Sequence, residues 1–184
     1  YNFTPELYAV GNVYGDTYSL NITEQVAVGS QATSKYTNNA RNLTDFNYEG
    51  RLHYDKKFEK FSINSFVGAN RRSYNFTRLL GETVGGLTLP NIYNLSNSVS
   101  QAKATNYEEK SRTNSIYGSL SLGYDDLLFV EVTDRQDWFS TVSEPVNYAS
   151  VTGSFVFSQL TDLPWLSYGK LRGSWAQAGN STDP

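Results

Sequence analysis

The chain has 184 residues, a formal net charge of −3, 39% apolar and 15% aromatic residues, and neither Cys nor Met. That length is enough for one domain with a sizeable core, and the charge argues against a nucleic-acid footprint. Without Cys there is no disulfide framework, thiolate metal site or thiol nucleophile, and no run approaches the roughly 18 apolar residues of a transmembrane helix.

The missing helix does not exclude a membrane, because a spanning β-strand is only half apolar and an averaged hydropathy hides it. Abundant Tyr, Thr, Asn, Ser and Gly suit pleated strands and turns. Strands are expected at 10–21 and 25–36, joined by a short turn at 22–24, and after "SKYTNNARN" at 42–56. In that third strand Phe46, Tyr48, Gly50, Leu52 and Tyr54 alternate with Asn47, Glu49, Arg51 and His53. A short turn at 57–59 leads to a strand at 60–75, and a long loop is expected over 76–102.

The next strand, 103–124, sets Ile116, Gly118, Leu120, Leu122 and Tyr124 against Ser115, Tyr117, Ser119 and Ser121. The pair Asp125–Asp126 reads as a tight turn, since Asp suits turn positions. Over 127–139, Leu128, Val130 and Val132 oppose Glu131, Thr133 and Arg135. The longer "STVSEPVN" precedes 147–159, where Ala149, Val151, Gly153, Phe155 and Phe157 oppose Ser150, Thr152, Ser154 and Ser158. "QLTDLPWLSY" leads to 168–179, where Leu171, Gly173 and Trp175 oppose Lys170, Arg172 and Ser174. The chain starts at Tyr1 and ends in a loop-like "AGNSTDP", so it is expected to be a piece of something larger.

Short and long connections therefore alternate along an all-β, antiparallel up-and-down meander. An outer-membrane barrel has that layout, with short periplasmic turns and long extracellular loops. Charges sit mid-strand on the polar face, so the apolar face is expected to meet the lipid bilayer and the polar face to line a wet interior. Tyr54, Phe58, Phe61, Tyr124, Phe129, Trp165 and Tyr168 lie near the short turns, and Trp138, Phe139 and Tyr148 near the long-loop end. Such rings favour membrane interfaces, and a girdle is expected from them.

Little in the sequence points to covalent chemistry. His53 is the only histidine, and a solvated strand residue is its simplest role. The pairs Asp125–Asp126 and Glu108–Glu109 lack the convergent partner that a glycosidase needs. No nucleophile elbow, P-loop or dinucleotide fingerprint occurs. Six N-x-[ST] sequons, at Asn2, Asn21, Asn42, Asn75, Asn94 and Asn180, fit chance in so Asn-, Ser- and Thr-rich a chain. No enzyme activity, cofactor or metal is expected.

Two groups are candidates for binding. The loop 76–102 carries Tyr93 with Asn91, Asn94, Asn97 and Gln101, and an aromatic platform with amide neighbours suits sugars, peptides or a lid protein. On the polar face Glu131, Arg135 and Arg172 are candidate lumen charges, either a ladder that steadies the wall or a substrate track.

Three stretches carry a family resemblance. "YGSLSLGYDDLLFVEVTDRQDWFSTV" resembles the Y-G-x-L-x-L-G-Y hairpin of SusC/RagA-like TonB-dependent transporters of Bacteroidetes, whose second strand ends in R-x-D-W-S-S-T; Arg135, Asp137, Trp138, Ser140 and Thr141 match, and Phe139 departs. "VTGSFVFSQL" and "LSYGKLRGSWAQAGN" are similar to two further segments of that family, in the same order, and "FNYEGRLHYDKKF" fits an earlier strand pair more loosely. The resemblance implies that 1–184 is one part of a large transmembrane barrel, about eight strands from its middle, without the plug, the TonB-binding box or the closing strand. It also implies import of a bulky nutrient across the outer membrane, with oligosaccharides ahead of peptides, a SusD-like surface lipoprotein as partner, and energy from the TonB complex. The rivals are a complete eight-stranded membrane barrel with a structural or adhesion role, a soluble carbohydrate-binding sandwich and, least favoured, a surface hydrolase.

Overall fold

The computed structural model describes residues 1–160 and 166–179. Among them seven strands form one sheet in chain order: β1 (Leu7–Val26), β2 (Lys35–Phe58), β3 (Phe61–Leu87), β4 (Ser98–Tyr124), β5 (Leu128–Phe139), β6 (Val146–Phe155) and β7 (Leu171–Ala176). Neighbours run antiparallel, so the meander is observed as expected. Strand order runs from β1 to β7 without a described pairing of those two, so no closed eight-stranded barrel forms among the described residues.

The connections at 59–60 and 125–127 are short, and those at 27–34, 88–97 and 140–145 are longer. Both short turns use left-handed backbone, with Glu59 at φ 43° and Asp125 and Asp126 at φ 52° and 55°. Asp tolerates that conformation through local hydrogen bonding. Ion pairs join the two turns: Lys60 reaches Asp125 at 3.3 Å and Lys57 reaches Asp126 at 3.4 Å.

The chain divides into two compact units. The first takes in 1–14, 47–72 and the segment from 112 onward. Its apolar positions share one face in direct cross-strand rows. Tyr124, Leu128, Phe155 and Leu171 make one row; Leu122, Val130, Gly153 and Gly173 the next; Leu120, Val132, Val151 and Trp175 the third. These side chains are not in a core: Val130 is 47% exposed and Trp175 61%. Only Leu87 and Val156 are buried apolar residues among those described, so the second apolar layer of a sandwich is missing. The fourth row, Gly118, Asp134 and Ala149, interrupts the apolar face with a carboxylate, which accepts a hydrogen bond from Asn147 Nδ2 at 2.8 Å.

The second unit comprises 15–46 and 73–111. Here Thr37, Asn39, Thr83 and Asn97 are buried, and pairs such as Tyr36 N–H to Thr83 Oγ1 (2.9 Å) and Leu87 N–H to Ser34 Oγ (2.8 Å) tie the strands. Tyr107 donates to Glu109 at 3.1 Å, and that bond, with the adjacent negative charge, holds the tyrosine pKa above its ordinary value. Glu108 is paired with Lys110 at 2.6 Å on the exposed surface.

Several boundaries differ from expectation. The strands expected at 10–21 and 25–36 are one strand followed by a connection, and no turn forms at 22–24, so seven strands replace eight. "SKYTNNARN" lies mostly in β2 rather than in a loop. The long loop expected at 76–102 shrinks to 88–97, because β3 runs on to Leu87 and β4 begins at Ser98. Strand β6 stops at Phe155; Phe157 lies in a 3-10 turn, Phe157–Leu160, instead of on the apolar face. Trp165 lies outside the described residues.

Candidate functional site

The opposite face of the first unit is polar, and its side chains interlock. Glu49 on β2 accepts hydrogen bonds from Asn12 Nδ2 at 2.9 Å and from the Tyr117 hydroxyl, and pairs with Arg51 at 3.5 Å. Arg135 on β5 lies over the Tyr117 ring, 5.4 Å from its centroid. The same guanidinium donates to Asp137 at 2.8 Å and to Ser115 Oγ at 3.0 Å. Ser115 is 1% exposed and Asp137 6%, so they form the floor beneath Arg135. Two cations and two carboxylates balance, as a partly desolvated network requires.

Gly68 makes this closeness possible. A Cβ there would stand 2.8 Å from Arg51 Cγ and 2.9 Å from the Tyr117 ring, so any side chain would push the two apart.

A file of rings crosses the same face. Tyr8 stacks on His53 with ring planes parallel and centroids 4.7 Å apart. His53 meets Phe66 at 5.4 Å, and Phe66 meets Tyr117 edge-on at 5.9 Å. With Arg135 over Tyr117, the file spans β1 to β5. The Tyr8 hydroxyl donates to Asp55 at 3.1 Å. The one histidine is therefore half-buried between rings, not simply solvated as expected from the sequence.

The candidate lumen charges separate into two places. Arg135 belongs to the network just described. Glu131 and Arg172 instead line a hollow of about 220 Å³ on the polar face, together with Lys170 and Phe129. Glu131 accepts from Ser119 at 3.1 Å, and Lys170 lies over the Phe129 ring at 5.6 Å. Phe129 opposes Gly123 and Ser154, so it faces the polar side, as do Tyr148 opposite Arg135 and Phe139 opposite Thr113. These three do not belong to an outward girdle. Phe61 and Tyr124 do meet near the short turns, with centroids 4.9 Å apart, and both are exposed.

The candidate loop residues lie in the 88–97 connection and at the start of β4. Asn94 caps a short 3-10 turn, Leu95–Asn97, by accepting from Asn97 N–H at 2.9 Å. Asn97 is buried and donates to the carbonyls of Leu89 (2.8 Å) and Ile92 (2.7 Å), while Leu89 N–H donates back to its Oδ1 at 3.0 Å. Asn91 takes left-handed backbone at φ 61°, Tyr93 is half-buried, and Gln101 sits on β4 rather than in the loop. Much of the amide chemistry here folds the loop.

Among the described residues no three His, Cys, Asp or Glu side chains come together as a metal site would need. The arrangement is a wall with an exposed apolar side and a charged, hydrogen-bonded side.

No protein-family model matches the sequence, and no curated protein matches it significantly. Solved structures do match. A chain in the structure of the RagAB peptide transporter superposes with a TM-score of 0.86 at 14% identity, covering 94% of this chain and 21% of that one. The RagAB peptide importer in its "closed-closed" state gives 0.80 at 18% identity over 98% of this chain and 21% of its own. The same importer in its "open-open" state gives 0.69 at 17% identity over 95% of this chain and 20% of its own. The chain thus spans about a fifth of the length of these transporter chains and has the fold of a RagA-like barrel wall, as the SusC/RagA-like resemblance implied.

Proposed function

We propose that residues 1–184 form part of the transmembrane barrel of an outer-membrane importer, and that the whole protein takes up peptides. The observation that carries this is the two-sided sheet: apolar residues are exposed in cross-strand rows on one face, while the other carries charges, among them the pairs Glu49 with Arg51 and Arg135 with Asp137. An exposed apolar sheet in water is an aggregation hazard, whereas in lipid it is the required surface. The likeness to a peptide transporter supports the transport class and favours peptides over the oligosaccharides that the sequence put first. By the family resemblance, the partners are a SusD-like surface lipoprotein and, through parts of the protein beyond this chain, the TonB complex.

The test is uptake by cells lacking the gene, complemented with the intact protein. Labelled peptides should enter complemented cells and be excluded from deleted ones, and the protein should fractionate with the outer membrane and co-purify with a lipoprotein. Unchanged peptide uptake alongside lost growth on glycans would return the substrate to oligosaccharides. Recovery in the soluble fraction would defeat the barrel assignment.

A further inference from the structure

The hollow at the β5–β7 end of the polar face differs from the rest of the wall in its charge balance. Arg51 and Arg135 each have a carboxylate partner. Among the described residues, Lys170 and Arg172 have no carboxylate within ion-pair distance, and Glu131 has no cation. Phe129, Ser154 and Arg172 stand in one cross-strand row, and Glu131 and Thr152 in the next. The Phe129 ring holds Lys170 from one side, since the ammonium lies over its face. Two cations, one carboxylate and the hydroxyls of Ser154 and Thr152 thus converge on one space.

We infer that this hollow receives a carboxylate belonging to a larger molecule, bound by Arg172 and Lys170. Its volume of about 220 Å³ is below the roughly 300–1,000 Å³ of sites that enclose a whole ligand, so it suits an end group. Guanidinium matches the two oxygens of a carboxylate in a planar fork, and an ammonium adds a point charge. Glu131 selects within the anions: one negative charge leaves the three groups at net zero, while a phosphate dianion would be repelled by the Glu131 carboxylate. Glu131 also offers an acceptor to an amide N–H or amine next to the bound carboxylate. Two sources present this chemistry. One is the free C-terminus of a peptide passing along the wall, which rests on the function proposed above. The other is an acidic side chain from another segment of the same protein.

The experiment uses the intact protein purified in detergent, with a short Gly/Ala peptide bearing a free C-terminus and the same peptide amidated. Binding is measured by calorimetry, and unfolding by the heat-dependent gel mobility of the barrel. For a peptide terminus, the free acid should bind at least about tenfold more tightly than the amide, and Lys170→Gln with Arg172→Gln should abolish that difference while the barrel still migrates as folded. For an internal carboxylate, acid and amide should not differ; Arg172→Gln should lower the unfolding temperature, and Arg172→Lys should restore it. If the wild-type protein binds neither peptide, the peptide-import reading fails, but the unfolding arm still reports on the carboxylate. With no acid preference, an unfolding temperature unchanged by Arg172→Gln, or lowered but not restored by Arg172→Lys, overturns the inference.

Discussion

Val132 and Thr133 are adjacent in sequence and lie on opposite faces of β5, so the same substitution at each isolates the environment of the face. Val132 stands four residues beyond Leu128 at the short-turn end. At about 3.4 Å per residue and a strand tilt of roughly 40°, it lies about 10 Å into an apolar band about 25 Å tall, close to the middle. Leu120 and Val151 flank it directly across the neighbouring strands, and neither offers a hydrogen-bond acceptor. Val132→Arg should therefore cost about 2–4 kcal/mol. Thr133 faces the polar side, where its hydroxyl and that of Ser150 share a hydrogen bond of 2.6 Å. Thr133→Arg loses that bond, at about 0.5–1.5 kcal/mol, but keeps its charge in a wet environment. The gap of about 2 kcal/mol corresponds to roughly thirtyfold in the ratio of folded to unfolded protein. Denaturant titration of the intact protein in lipid vesicles, with folding read from gel mobility, measures both variants. Equal costs at the two positions, or a larger cost at Thr133, would refute the assignment of faces.

Three other substitutions test particular contacts. Gly68→Val forces a side chain between Arg51 and Tyr117 and should destabilise the barrel by about 1–3 kcal/mol, whereas Gly50→Val, where no atom lies within 4 Å of the added Cβ, should be nearly silent; thermal unfolding compares them. Asn97→Ala removes two donors and one acceptor that close the 88–97 connection, so amide hydrogen exchange there should accelerate at least about tenfold while β5 and β6 are unchanged. Asp134→Leu removes the carboxylate that interrupts the apolar face and should stabilise the vesicle-embedded protein by about 1 kcal/mol; lower stability would mean that this row lies in the polar boundary of the membrane.

Alternation made the β4–β5 hairpin readable because its two faces meet different surroundings. Its register was not: counting outward from a two-residue turn at Asp125–Asp126 sets Tyr117 opposite Asp134, whereas the observed three-residue connection 125–127 sets Tyr117 opposite Arg135 and Ser115 opposite Asp137. Likewise, counting from the turn expected at 57–59 sets His53 opposite Ile63, whereas the observed turn at 59–60 brings it to Phe66, the contact that the ring file uses. The link from Tyr117 back to Glu49 was not legible, because it joins residues 68 apart through a strand between them. The outer parts of β1 to β4 failed for another reason. In β1, Asp16–Glu24 are exposed at successive positions, so no difference between faces imposes a period of two, and the polar residues 22–24 pass for a turn. Gly85 and Gly86, inside the stretch expected as a loop, take left-handed backbone at φ 77° and 104° within the last residues of β3.

The file from Tyr8 to Arg135 passes from strand to neighbouring strand, from β1 to β5. Changing the curvature of the wall there would splay or crush ring contacts between successive strands, so the file behaves as a hoop. Beyond β5 two of the polar-face rows are Thr133 with Ser150 and Ala176, and Glu131 with Thr152 and Ser174, while Gly153 and Gly173 face each other on the apolar side. Small side chains resist bending weakly. A force that distorts the cross-section would leave β1 to β5 moving as a stiff plate and concentrate the flexure between β5 and β7, the part of the wall that carries the Lys170 and Arg172 hollow.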